Sequence, residues 1–165
     1  MTTGSDYIAR LDAVEARLAA AASSEPAPGA LTGADPDSGE RWDRGQVWAH
    51  LAEFIPYWIA QAGPVLCGQP SGEPVPFGRT KRDPERIGAI ERDRREPVSA
   101  LWGDTRSDIA ALRTFLGTIE PEQWEMRGLH PTLGTMTVDA LTERFLAGHL
   151  EEHADQLEGM IPESA

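Results

Sequence analysis

The stretch TVDALTERFLAGHLEEHADQLEGM, Thr137 to Met160, decides the fold. On a helical wheel Val138, Leu141, Phe145, His149, His153, Gln156 and Met160 share one arc, the pattern of an amphipathic helix with one face turned to a core. Thr135 or Thr137 can cap its start. Two histidines four residues apart stand near the centre of that face, and a helix stacks such residues over one another so that both imidazoles reach a common point.

Upstream of this stretch, three more segments have the same 3.6-residue period. Ser5 reads as the cap of a first helix with Ile8, Leu11, Val14, Leu18 and Ala22 on its apolar face. Ser23 to Glu40, rich in Ser, Pro, Gly and Asp, reads as a loop. Asp43 and Gln46 have capping-box spacing and open a second helix, striped by Val47, Leu51, Phe54, Ile55, Trp58 and Ile59. His50 lies inside that stripe, and Pro56 is expected to bend or interrupt the helix one turn later. Gly63 to Gly78 holds four prolines and four glycines and reads as loop. Pro97 suits the first turn of a third helix, which runs through Leu101, Ile109, Leu112 and Leu116 and stops at Glu120-Pro121. Glu122 to Thr135, including His130-Pro131, reads as loop, and no period-two alternation persists anywhere. The expected architecture is all-α: a four-helix bundle with long connecting loops, one domain over 1–165.

Composition narrows the function classes. A chain of 165 residues, 40% hydrophobic, can bury one core. A formal charge of −12 repels phosphate backbones, which argues against nucleic acid as a partner. The N-terminal residues lack the basic and apolar runs of a leader, and no stretch is long enough to span a bilayer, so a cytoplasmic protein without membrane contact is expected. Cys67 is the only cysteine, which leaves no internal disulfide. Lys81 is the one lysine beside fourteen arginines, which with the many Ala, Gly and Pro hints at a GC-rich genome. Trp42, Trp48, Trp58, Trp102 and Trp124 are more than one core must bury, and a homodimer is expected on that ground.

His50, His149 and His153 are three of only four histidines. Each could be a core histidine satisfied by ordinary hydrogen bonds. Three uncharged imidazoles on core faces are hard to satisfy by packing alone, however, and a divalent cation would satisfy them together. Imidazole suits zinc first, with nickel, iron or manganese as alternatives, and three protein ligands leave a coordination position free for chemistry. Glu53 and Glu152 could orient imidazoles from behind or could simply be solvated. His130 sits in a loop and reads as a rim or supporting residue. The pentapeptide His149 to His153 also matches the H-x-x-E-H pattern of inverted zinc peptidases, but twelve residues of remaining chain leave no room for the further ligand and cleft such an enzyme needs.

Trp48-Ala49-His50-Leu51 with Glu53, His130-Pro131 and His149-x-x-x-His153 resemble, in order and spacing, the DinB-like superfamily. The resemblance implies a four-helix bundle with His50, His149 and His153 as ligands of a divalent cation. Some members are mycothiol-dependent maleylpyruvate isomerases or bacillithiol transferases, so it also implies a metal-dependent enzyme that uses a low-molecular-weight thiol, mycothiol in particular, on a small molecule. A small-molecule metallohydrolase and a non-catalytic metal-binding bundle are the alternatives. Seven basic residues between Arg79 and Arg95 read either as a solvated, internally paired helix or as an anion-recruiting rim in which Arg82 and Arg86 bind substrate.

Overall fold

The computed structural model describes residues 3–163. Helix α1 (Gly4–Ala22) is capped by Thr3, not Ser5. The Thr3 hydroxyl accepts the Asp6 N–H at 3.3 Å and the Asp6 carboxylate accepts the Thr3 N–H at 2.9 Å. That reciprocal box needs a polar acceptor three residues past the cap, and Ser5 has Ile8 there. Tyr7, Leu11, Val14, Leu18 and Ala21 form its buried face. At the far end Arg44 donates to the carbonyls of Ala21, Ala22 and Ser24, supplying donors that the helix terminus lacks.

Helix α2 (Arg44–Cys67) carries the expected Asp43–Gln46 capping box. It corrects the sequence reading at two places. Pro56 does not interrupt it, and it runs past Gly63 and Pro64 to end at Cys67. Both prolines lie on the exposed side, where water can serve the carbonyls they leave without a donor, while Ala62 and Val65 extend the buried stripe. Burial along that stripe outweighs the breaker signal.

A second correction is a small sheet where only loop was expected. Strand β1 (Val75–Pro76) pairs parallel with β2 (Arg127–His130), and β2 forms an antiparallel hairpin with β3 (Gly134–Thr137). Gly134, at φ 78°, makes the tight turn. Helix α3 (Pro84–Asp93), capped by Asp83, is a short helix packed on α2 outside the bundle. The internally paired reading holds for part of this segment: Arg92 meets Asp93, and Arg94 meets Glu91 and Asp43.

Helix α4 (Val98–Gly117) packs against both α1 and α2. The last stretch is not one uniform helix. Helix α5 (Val138–Thr142) passes into a π-helical turn, Glu143–Ala147, and then into α6 (Gly148–Gly159). In the π turn the Gly148 N–H reaches back five residues to the Glu143 carbonyl. Helices α1, α2, α4 and the α5–α6 rod form the four-helix bundle. Within it α4 and α6 each contact both α1 and α2, and its core runs from Leu11 and Leu18 through Leu51, Phe54 and Ile55 to Leu112, Leu146 and Leu157. Trp48, Trp58 and Trp124 are buried in this core and Trp42 and Trp102 half-buried against it, so their number alone requires no partner chain. Among the described residues no helix is long and apolar enough to cross a membrane.

One residue of α4 links the fold to pH. Burial of Asp108, and then the charge of Asp104 one turn earlier, push the Asp108 carboxyl up to about 6 from an ordinary 3.8. A folded-state value above the unfolded one means that ionising the group opposes folding. Its contribution is fully favourable below 3.8 and is lost as pH rises through 6. The carboxylate keeps substantial contact with water, and screening limits the effect to about 1 kcal/mol. Asp108→Asn should therefore melt about 2–4 °C above the parent protein at pH 7.5 and level with it at pH 3.5. The same offset at both pH values would contradict the assignment.

Candidate metal centre

Helix α2 delivers His50 and helix α6 delivers His149 and His153 to one point. Nε2 of His149 lies 3.0 Å from Nε2 of His50 and 3.0 Å from Nε2 of His153. One ring nitrogen from each histidine falls within 4.8 Å of the other two. His50 and His153 are 3% and 4% exposed, whereas the side chain of His149 is 24% exposed and marks the side on which the cluster opens.

Each imidazole is held from behind by a residue three positions further along its own helix. Nδ1 of His50 meets Glu53 Oε1 at 3.0 Å, Nδ1 of His149 meets Glu152 Oε2 at 3.2 Å, and Nδ1 of His153 meets Gln156 Oε1 at 2.7 Å. All three partners present oxygen acceptors, so each ring carries its proton on Nδ1 and turns a bare Nε2 lone pair toward the others. Lone pairs facing one another at 3.0 Å repel unless a cation lies between them. The donor set therefore fits a divalent metal. Nitrogens bound to one zinc at about 2.0–2.1 Å in a tetrahedral arrangement sit about 3.4 Å apart, and the observed spacing lies just inside that.

The surroundings keep His50 and His153 neutral. Burial, and then the charges of His153, His149, Arg86 and Arg79, hold His50 well below the ordinary imidazole value. Burial and the neighbouring His149 bring His153 down to about 3. Neutral histidine is the form that ligates metal, so these two ligands need release no proton before they bind.

Glu53 is itself anchored. Nη2 of Arg79 donates to both of its oxygens at 2.6 Å, and the guanidinium lies 3.9 Å from the centroid of the Tyr57 ring. Burial pushes the Glu53 carboxyl up and Arg79 opposes that push. His130 stands apart from the cluster. Its ring packs beside the stacked pair Trp58 and Phe145, and its Nε2–H donates to the Arg79 carbonyl at 3.1 Å, so it supports the backbone from which Arg79 reaches Glu53. Arg86 lies over the Trp42 ring at 5.3 Å. The Arg82 side chain is exposed and makes no hydrogen bond or ion pair among the described residues.

Trp42, Phe54, Arg79 and Gln156 are site residues that motif reading passes over. Trp42 stacks parallel to His153 at 6.4 Å and edge-on to His50 at 5.4 Å, while Phe54 touches all three imidazoles. Trp42 reaches this place because the loop before α2 is pinned by a mutual bond: the Trp42 N–H donates to the Thr32 hydroxyl at 2.9 Å and the Thr32 N–H to the Trp42 carbonyl at 2.8 Å. Gln156 did leave a signal. His50, His149 and His153 are each followed three residues later by Glu, Glu and Gln.

YfiT from Bacillus subtilis, a probable metal-dependent hydrolase with an unusual four-helix bundle topology, superposes with a TM-score of 0.71, covering 95% of this chain and 85% of its own at 19% identity. The mycothiol-dependent maleylpyruvate isomerase superposes with a TM-score of 0.65, covering 99% of this chain and 68% of its own at 17% identity. The chain shares the fold of these two proteins. No family model matches the sequence and no curated protein is significantly similar to it. The likeness is therefore one of architecture, and it agrees with the four-helix bundle found in this chain.

Proposed function

We propose that this DinB-like chain is a metal-dependent enzyme that activates a low-molecular-weight thiol for transfer to, or isomerisation of, a small molecule. The observation that carries the proposal is the convergence of three imidazole Nε2 atoms with every Nδ1 already engaged and one imidazole open to solvent. His50, His149 and His153 would hold the cation, zinc first among the candidates, and it would supply a lowered pKa to a thiol or water placed at the remaining position.

The protein's own residues prepare that position. Glu53, Glu152 and Gln156 fix the proton of each imidazole on the far nitrogen, and Arg79 holds Glu53 in place. Trp42 and Phe54 wall the buried side and keep water from it. The approach is past His149. Likeness to the mycothiol-dependent isomerase favours a thiol as nucleophile, with mycothiol as the first to test. Likeness to YfiT favours a second reading, hydrolysis with water in the same place.

In either reading the nucleophile is not Cys67. Cys67 is the last residue of α2, seventeen positions after His50, which at 1.5 Å per residue is about 25 Å along the helix axis. Cys67→Ser should leave turnover within about twofold of the parent, and His50→Ala should abolish it. Screens with and without mycothiol on the same preparations separate the two readings. The reverse pattern, with turnover lost in Cys67→Ser and kept in His50→Ala, would sink both.

A further inference from the structure

In this acidic chain the half-buried arginines are nearly all engaged. Arg10, Arg17, Arg79, Arg94 and Arg113 pair with carboxylates, and Arg44 donates to helix-end carbonyls. Arg86 differs. Its guanidinium makes one hydrogen bond among the described residues, from Nη1 to the Lys81 carbonyl at 2.9 Å, and no carboxylate pairs with the guanidinium there. Its Nε and Nη2 donors have no partner there. That edge of a guanidinium is one a carboxylate can take with two parallel hydrogen bonds.

Arg86 is also close to the histidines. Its guanidinium sits 5.3 Å from the Trp42 ring, and that ring touches His50 and His153. Its charge acts on His50, His153 and Glu53. With a dication on the cluster, the site would hold that ion and two guanidiniums against the carboxylates of Glu53 and Glu152, a surplus of positive charge in a partly desolvated place. Such an excess is costly unless an anion joins it.

We infer that Arg86, with the Trp42 ring beside it, is an anion-binding position that takes a carboxylate on the substrate while the reacting group sits at the histidine cluster. The substrate class is then a small carboxylate-bearing molecule. The inference rests on the metal-and-thiol reading above for the reacting group but not for the anion contact itself.

Two titrations separate these parts. In the first, cobalt-loaded protein is titrated with 3-mercaptopropionate and with 2-mercaptoethanol, and the sulfur-to-cobalt absorption band reports binding. The acidic thiol should bind tighter than the neutral one. Arg86→Gln should weaken the acidic thiol at least tenfold and leave the neutral one unchanged, with Arg86→Lys, which keeps charge without the two-pronged edge, in between. In the second, zinc-loaded protein is titrated with succinate and followed by the NMR signal of the Trp42 indole, which should respond in the parent and not in Arg86→Gln. Equal weakening of both thiols, or a succinate response that survives Arg86→Gln, overturns the inference. Absence of the band with either thiol overturns the thiol reading instead, and the succinate titration then decides the anion position alone.

Discussion

His153→Ala, purified without a nickel column and dialysed against micromolar zinc, should retain less than about a tenth of the metal that the parent binds at one ion per chain. Two imidazoles would remain, but His153 is the most firmly oriented of the three, with Gln156 at 2.7 Å behind it and the Trp42 ring parallel to it. Its loss also opens a space beside Trp42 that water can enter. The helices should survive. The truncation costs about 1–3 kcal/mol through a small cavity and an unpaired Gln156 amide, and the apolar stripes of the bundle are untouched. Circular dichroism at the parent's helicity together with zinc lost by elemental analysis is the expected pair of results. Zinc at the parent's level in the variant would remove the three-histidine assignment.

A comparably large effect is expected at Gly148, which no motif marks. In the π turn an added Cβ at this position would collide with the Glu143 carbonyl oxygen and lie 2.8 Å from Glu143 Oε1. Backbone cannot yield there as a flexible side chain could, so Gly148→Val should cost about 3 kcal/mol, a melting temperature lower by about 6–12 °C. Relief can come only by rewinding Glu143–Ala147, and that turns His149 and His153 away from His50. Zinc affinity should therefore fall along with stability, whereas a purely packing role would lower stability alone. A Gly148→Val protein that melts with the parent and binds zinc equally would show that the turn tolerates a side chain.

The parts of the fold legible in the sequence are those in which one physical rule acts alone. The stripe Leu11, Val14 and Leu18 and the histidine spacing follow from helix periodicity, the Asp43–Gln46 box from the unpaired N–H groups of a helix start, and each appears as read. What escaped the sequence depends on contacts between distant segments. Strand β1 is two residues long and ends in proline, so no alternation can reveal it, and it exists because β2 offers a partner. The end of α2 was hidden by a rule about Pro and Gly that burial of Ala62 and Val65 overrode. A wheel of constant pitch cannot represent the π turn, and Phe145 on the expected core arc is accordingly only half-buried. Trp42 belongs to no periodic segment at all and reaches the site through its bonds to Thr32.

Because every imidazole takes its supporting acceptor from the next turn of the same helix, the instructions for aiming the three rings are contained in two short runs, His50 to Glu53 and His149 to Gln156. Nothing about ring direction has to be negotiated between helices, and the bundle need only bring two pre-aimed rods to the right separation. Such a centre is a cassette. Residues outside the two helices only steady what the cassette already aims: Arg79 grips Glu53, His130 holds the backbone of Arg79, and Trp42 lies flat beside His153.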